Sequence, residues 1–250
     1  MISHRLQTVL LVLVAALAAH IAAWGQCSNA TLKGNAAFIV SGLDTNGAPV
    51  AAFGHIKSNG KGTFTGVETV ADNGAILDNA PITGTYKVHS DCTGTSTTMI
   101  ENLTSNAVLV VLSSGSGFQI LNVDSPNIQQ GSAQAQGDAT CTAAGLNGNF
   151  GIQAGGTIIG VGDVVLTGLI NFNGAGKLKG TESGSVAGEI FTGQSVSGSY
   201  KVKSNCTGTA TIKIKGFTPL HANLAITNGG KGVMVVATDA GTVISGIGQQ

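Results

Sequence analysis

Apolar and polar residues alternate along most of the chain beyond residue 33, which is the period-two pattern of strands with one buried face. Short runs rich in Thr, Val, Ile and Gly are separated by turn signals, including several Asn-Gly pairs of the kind that suit type I′ hairpin turns. In the first half of the chain this pattern predicts eight strands. They lie near residues 34–42, 49–58, 62–71, 81–89, 94–102, 105–113, 116–123 and 127–134.

The second half of the chain repeats the first with a period of 114 residues, and one residue is inserted later, after which Asp124 and Gly131 match Asp239 and Gly246. Gly-Thr-Tyr-Lys-Val at 84–88, for example, matches Gly-Ser-Tyr-Lys-Val at 198–202. We therefore expect two homologous domains, residues 26–130 and 141–250. A polar segment of small residues, 131–140, is predicted to link them.

Four cysteines fall at equivalent places in the two repeats, 65 residues apart in each. This spacing selects the disulfides Cys27–Cys92 and Cys141–Cys206, because any other pairing breaks the equivalence of the repeats. Two cysteines without a nearby histidine make a poor zinc site. We predict neither a metal site nor a cofactor.

Eight short strands joined by hairpins favour an all-β fold of two tandem up-and-down β-barrels. Closure into a barrel removes the edge strands, and an eight-stranded barrel has an interior that side chains can fill. A pair of β-sandwiches is the alternative architecture.

Counting faces along the predicted strands places Glu68 and Tyr86 of the first repeat, and Glu182 and Tyr200 of the second, inside the fold. A carboxylate in an apolar interior has a raised pKa unless it is hydrogen-bonded. These four residues form the candidate polar interior site. The structural interpretation is either a hydrogen bond between each Glu and its Tyr or a Glu at the barrel mouth in water, and the functional interpretation is an acid–base group.

Strands six and seven are apolar on both faces, which indicates that both faces are covered. With the period of 114, Ala107, Leu109 and Val111 fall on the outward face. An apolar patch of this kind is rarely left in water. We therefore expect the second domain, or self-association through Leu109 and Val111, to cover it. His55 is also assigned to an outward, solvated position.

Residues 1–25 have the pattern of a signal peptide. His4 and Arg5 precede the apolar run 9–19, and small residues near the end predict cleavage before Gln26. The run is shorter than the roughly 20 residues that span a bilayer. The mature protein is thus predicted to be secreted or periplasmic, with no transmembrane segment.

The amino-acid composition argues against several classes of binding partner. Charged residues are 10% of the chain, and Arg5 is the only arginine. The mature chain would hold eleven lysines, no arginine and no tryptophan. Arginine is the residue for bidentate recognition of phosphate, so nucleic acid and nucleotides are not expected as partners.

Two copies of a Gly-x-Tyr-x-Val-x-x-Asp/Asn-Cys-x-Gly-Thr stretch behind a signal-like leader resemble a loose group of secreted bacterial proteins that has no assigned activity. The strand count also resembles the calycin and allene-oxide-cyclase barrels in architecture. Avidin-type biotin sites depend on tryptophan, which the mature chain lacks.

The leading functional hypothesis is a non-enzymatic binding or envelope-associated structural protein that is secreted or periplasmic. One alternative is a carrier that holds a small hydrophobic ligand in the barrel interior. Another is an enzyme built on the inward Glu and Tyr residues.

Overall fold

A computed structural model describes residues 26–112, 115–137 and 140–250, which form two closed antiparallel barrels of eight strands each. The first barrel comprises β1 (Gly34–Leu43), β2 (Pro49–Ser58), β3 (Thr63–Asp72), β4 (Ala75–Val88), β5 (Thr93–Ile100), β6 (Leu103–Val111), β7 (Gly117–Asn122) and β8 (Ile128–Ala135). The second comprises β9 (Asn147–Ile158), β10 (Gly162–Asn173), β11 (Lys177–Val186), β12 (Glu189–Val202), β13 (Thr207–Ile214), β14 (Leu220–Thr227), β15 (Gly232–Ala237) and β16 (Thr242–Gln249). The predicted barrel architecture is confirmed. The predicted signal peptide, 1–25, lies outside the described residues.

Consecutive strands pair in sequence order, and β1 also pairs with β8 as β9 does with β16, so neither barrel has an open edge. The β3–β4 connection is a two-residue turn formed by Asn73 and Gly74, with φ of 46° and 82°. Positive φ at both positions is what the type I′ turn requires, as the Asn-Gly pair predicts.

Each barrel has one end that the incoming chain covers, called here the capped end. A short 3₁₀ turn lies there, Asn29–Leu32 in the first barrel and Ala143–Gly145 in the second. The Tyr86 hydroxyl donates to the carbonyl of Asn29 (3.1 Å). The hairpins β1–β2, β3–β4, β5–β6 and β7–β8 form the opposite end of the first barrel, called the open end, and their counterparts form that of the second.

The two predicted disulfides, Cys27–Cys92 and Cys141–Cys206, are both present at the capped ends. Each joins residues 65 apart in sequence. In the chain-entropy model a loop of this length contributes about 4 kcal/mol to stability. The bridges tie the capping turns to the barrels.

Aromatic rings enter the first barrel where the facing strand carries glycine. A Cβ on Gly54 would lie 2.7 Å from ring atoms of Phe38, and a Cβ on Gly84 would overlap the ring of Phe64. Protein interiors tolerate no such overlap. Glycine therefore stands at inward positions to make room for large neighbours.

The two barrels pack side by side through unlike faces. The outer face of β1–β3 lies against the outer face of β14–β16. The apolar side chains of this contact are Ala37, Ile39, Ala51, Phe53 and Ala71 from the first barrel and Ala225, Met234, Val236 and Val243 from the second. The Asn223 amide donates to Thr69 Oγ1 (2.9 Å) and to Asp78 Oδ1 (2.6 Å) across the contact.

Like ends of the barrels are adjacent. At the open ends, Gly241 N–H donates to the carbonyl of Gly74 (2.8 Å). At the capped ends, Thr227 Oγ1 donates to Gln134 Oε1 (2.7 Å), and the Gln136 amide reaches the carbonyl of Ile226 (3.3 Å). Both open ends therefore face the same side of the molecule.

The predicted outward patch on β6 is wrong by one residue. Ala107, Leu109 and Val111 point into the first barrel, where Leu109 is 4% exposed, whereas Val108 is 39% exposed and Val110 52%. The extra residue of the second repeat lies in its β13–β14 hairpin, so the period is 115 from β6 onward: Leu109 faces Gly94 as Leu224 faces Gly208. Self-association through Leu109 and Val111 is therefore excluded.

The predicted linker is also too long. Gly131–Ala135 belongs to β8 and closes the first barrel by pairing with β1. The small and polar residues of this segment suggest a linker, but they belong to a barrel strand whose inward positions leave little room for side chains. A Cβ on Gly131, for example, would clash with the backbone of β1.

The inward position of Leu109 is testable by comparison with its neighbour. We expect Leu109→Ala to lower the free energy of unfolding by about 2–5 kcal/mol, because it leaves a cavity in the first barrel. Val108→Ala should change it by no more than about 0.5 kcal/mol. Denaturant titration measures both, and a larger loss for Val108→Ala would contradict the register.

Candidate functional site

Both candidate glutamates occupy the same inward position beside a bulge. The β3–β4 pairing shifts register between Glu68 and Val70, and the β11–β12 pairing shifts between Glu182 and Gly184. Bulges bend a strand and re-aim its side chains, and they are frequent next to active sites. Both repeats therefore have the bulge and the carboxylate at equivalent positions.

The predicted hydrogen bond between each Glu and its Tyr is wrong. Tyr86 donates to Asn29 as described, and Tyr200 donates to the carbonyl of Leu146 (2.8 Å) at the capped end of the second barrel. Among the described residues, neither glutamate has a hydrogen-bond partner for its carboxylate, and Oε1 of Glu182 is buried. The tyrosine hydroxyls hold the capping turns, and the glutamate carboxylates are left without a hydrogen-bond partner among the described residues.

The first barrel encloses a cavity of about 140 Å³ that contains Glu68. Much of its wall is apolar and aromatic, and includes Phe38, Phe64, Phe118 and Leu109. Polar side chains line it as well. They are Ser58, Ser96, Thr98, Ser105, Asn122 and Gln129.

Part of this polar lining is already ordered. The Asn122 amide donates to Ser105 Oγ (3.1 Å) and to Gln129 Oε1 (3.3 Å), and the Gln129 amide donates weakly to the carbonyl of Leu43 (3.4 Å). Asn122 Oδ1 accepts from the backbone N–H of Asp124 (2.7 Å). These bonds hold Ser105, Asn122 and Gln129 in place around the cavity on the side of the open end.

The second barrel replaces most of these polar residues by apolar ones. With the register established above, Ser96, Thr98, Ser105, Asn122 and Gln129 correspond to Ala210, Ile212, Leu220, Ala237 and Ile244. The remaining cavity there is about 90 Å³, and its lining is apolar apart from Glu182 and Thr167. The two interiors therefore share a carboxylate and differ in almost every other polar group.

Sequence reasoning missed Ser105, Asn122 and Gln129. A signal was present, because aligning the repeats with a period of 115 beyond β5 shows polar residues in one copy where the other has apolar ones. Placing the inserted residue after β6, when it lies before it, leaves Ser105 out of register and hides the contrast on that strand.

Burial dominates the electrostatics of both glutamates. It raises the pKa of Glu68 to about 7 and the pKa of Glu182 to about 7. Desolvation favours the neutral acid. At neutral pH each of these groups exists in both protonation states, which marks Glu68 as a candidate for binding or proton transfer.

His55 was expected on an outward face in water, and the structure corrects this. It does face outward, but it is half-buried between the barrels, where Nε2 lies 2.9 Å from the Asn205 amide. Burial lowers the pKa of His55, and the positive charge of Lys203 lowers it further. The residue belongs to the contact between the barrels.

Two absences apply to residues 26–112, 115–137 and 140–250. No cluster of three or more His, Cys, Asp or Glu side chains is arranged to hold a metal ion there. Within the same ranges no helix has the length and apolar character that crossing a bilayer requires.

No family model and no curated protein matches this chain. Among solved structures, kievitone hydratase from Nectria haematococca is similar over 90% of this chain and 92% of that one, with 9% identity and a TM-score of 0.28. CghA is similar over 90% and 92%, with 8% identity and a TM-score of 0.27. CghA with Sch210972 is similar over 86% and 87%, with 9% identity and a TM-score of 0.25. Likeness at this level says nothing about activity.

The raised pKa of Glu68 predicts a pH-dependent stability. Its folded pKa of about 7 exceeds its ordinary value of 4.5, so the folded state holds the proton more tightly than the unfolded chain does. Stability from this group is complete below about pH 4.5, declines as pH rises toward 7, and is lost above that. Glu68→Gln should therefore be more stable than the wild type at pH 8, by up to about 3 kcal/mol, and similar to it at pH 4.

Glu189→Gln is the matched control, because Glu189 is exposed at the start of β12. We expect its unfolding free energy to follow the wild-type pH profile. A Glu68→Gln variant whose profile from pH 4 to 8 also matches the wild type would show that Glu68 is not desolvated.

Proposed function

We propose that this chain is a secreted or periplasmic binding protein whose first barrel holds a small amine with an apolar body. The second barrel serves as a packed support. The observation that carries the proposal is the difference between the two interiors: Glu68 shares a cavity of about 140 Å³ with ordered polar side chains, whereas Glu182 shares a cavity of about 90 Å³ with residues that are almost all apolar. Two disulfides fit an oxidising compartment.

Cavity size limits the ligand. The volume of about 140 Å³ is close to that of a cavity that takes up benzene, about 150 Å³. It is well below the roughly 300–1,000 Å³ of ordinary ligand pockets. A single ring or a short chain fits inside, with any longer part of the ligand extending through the open end.

Charge selects an amine over an acid. Glu68 is a half-buried, desolvated carboxylate with no cationic partner among the described residues, so an ammonium group would supply the missing charge. The hydroxyl and amide oxygens that line the same cavity are acceptors for ammonium protons. The aromatic rings of Phe38, Phe64 and Phe118 are surfaces on which a cation is also favoured.

The rim of the first barrel supports the same choice. Each of its four open-end hairpins carries an acidic residue, and none of the barrel's lysines is at that end. The acids are Asp44, Asp72, Glu101 and Asp124. Burial raises the pKa of Asp72, and the negative charge of Asp44 raises it further. A rim of one sign raises the local concentration of ligands of the opposite sign.

Acid–base catalysis by Glu68 is the second candidate, because a pKa near 7 suits proton transfer at neutral pH. It has less support. Tyr86, the predicted partner in such a site, directs its hydroxyl to a backbone carbonyl.

Benzylamine is a suitable probe of the proposed function, since its ring and single ammonium group fit the cavity. Calorimetric titration should show binding that strengthens between pH 6 and 8, as Glu68 ionises. The isosteric neutral benzyl alcohol should bind at least about tenfold more weakly at pH 8, because burying an ion pair depends on both charges.

Glu68→Gln should weaken benzylamine binding at least about tenfold, whereas Glu182→Gln, the same change in the second barrel, should leave it unaltered. Equal losses in both variants would place the site outside the first barrel. Affinity for benzyl alcohol that matches or exceeds that for benzylamine would overturn the amine assignment.

A further inference from the structure

Charged residues are sorted by barrel end, and this sorting extends across both barrels. In the first barrel all four lysines lie at the capped end: Lys33 before β1, Lys57 near the end of β2, Lys61 in the next turn and Lys87 near the end of β4. All four side chains are exposed, and none pairs with a carboxylate among the described residues.

The second barrel adds five lysines to the same side of the molecule. They are Lys177, Lys179, Lys201, Lys203 and Lys231, and all are exposed. The capped ends are adjacent, as the bonds from Thr227 and Gln136 show. Among the described residues, Asp91 is the only acid at this end, so nine lysines face one carboxylate.

Open ends of the two barrels have the opposite character. Acidic hairpin residues dominate there, with Asp163, Glu189 and Asp239 of the second barrel joining the four of the first. Among the described residues, Lys213 and Lys215 are the only lysines at this end, where His221 also lies and pairs with Asp239. A chain with formal net charge near zero is therefore strongly bipolar along the barrel axes.

We propose that the two capped ends together form a docking surface for a bilayer rich in anionic lipid, with the open ends directed away from it. This surface is called here the basic end. Its proposed role is separate from ligand binding in the first barrel and does not depend on it. Lysines near an anionic leaflet each add to the attraction, and the attraction falls off within a Debye length.

Residue type favours a lipid surface over other polyanions. The basic end has lysines alone and no arginine, so it supplies diffuse positive charge rather than the bidentate fork that recognises single phosphates. Every aromatic ring of the first barrel is buried, so none can stack on a base. Lysines spread over two adjacent barrel ends form a broad patch, which suits a plane better than a linear polymer.

Chain connectivity favours the same orientation. The polypeptide enters the first barrel at its capped end, where Cys27 bonds to Cys92. The apolar run 9–19 precedes Gln26 by only seven residues. While that run is attached and lies in a membrane, the basic end is the part of the folded protein held closest to the lipid headgroups.

A pair of matched double variants tests the proposal. Lys201→Glu with Lys203→Glu reverses two charges at the basic end, and Lys213→Glu with Lys215→Glu reverses two on the adjacent strand near the open end. Both pairs are exposed and spaced by two residues. The two pairs lie on average about 20 Å apart along the strands, further than the Debye length of about 10 Å at 0.1 M salt.

The experiment uses the chain from Gln26 onward, within which both barrels close and both disulfides form. Sedimentation with phosphatidylcholine vesicles containing about one-third phosphatidylglycerol should show binding at about 0.01 M salt that is lost near 1 M. The variant at the basic end should bind at least about tenfold more weakly, and the open-end variant within about twofold of the wild type. Thermal melts confirm that both variants are folded.

Three results would overturn the proposal. Equal binding to vesicles of phosphatidylcholine alone would show that the contact does not depend on anionic lipid. Equal loss in both double variants would show a net-charge effect without a defined surface. Binding to heparin or to DNA but not to the anionic vesicles would identify a polymer as the partner.

Discussion

The pairing of the first strand of each repeat with its last is the constraint on which the rest of the molecule depends. Once β1 bonds to β8, and β9 to β16, the inward or outward direction of every strand residue is fixed. Eight strands also set a radius at which inward side chains nearly fill the space. The chemistry of each barrel therefore reduces to the identity of its inward residues, which is why two copies of one scaffold can have different interiors.

A desolvated carboxylate with no partner costs stability at neutral pH, and each barrel contains one that is half-buried. In the second barrel Glu182 faces Val196, Ile212 and other apolar neighbours. In the first, the same position lines one cavity with Ser105, Asn122 and Gln129, so a ligand in that cavity can contact all of them. Groups that break local rules of packing are expected at functional sites. In the first barrel, additional polar groups line the cavity of the unpaired carboxylate and can bind a ligand together with it.

Sequence pattern predicted the strands closely because alternation, Asn-Gly turns and the duplication all point to the same fold. The cysteine pairing followed from the duplication alone. Glu68 and Glu182 were correctly placed inside, since their strands alternate without interruption before the bulge. The outward assignment of Leu109 failed because one inserted residue in a hairpin reverses every side chain beyond it.

Hydrogen bonding was harder to foresee than burial. The capping turns at Asn29–Leu32 and Ala143–Gly145 have no periodic signal, so the carbonyls that accept from Tyr86 and Tyr200 were absent from the prediction. Charge sorting between barrel ends was equally hidden. It depends on which hairpins lie at which end, and on like ends being adjacent, and neither is a property of local sequence.

The unlike faces that join the barrels set a limit on growth. A contact between the β1–β3 face of one unit and the β14–β16 face of another joins two different surfaces, so each unit keeps one of these surfaces free for a further unit beside it. The second barrel lacks the apolar residues needed to accept a further unit, because Gln153 and Thr167 stand where the first barrel has Ile39 and Phe53. These two differences between the repeats remove apolar side chains from the face on which a further barrel would pack, so the contact between unlike faces is used within the covalent pair.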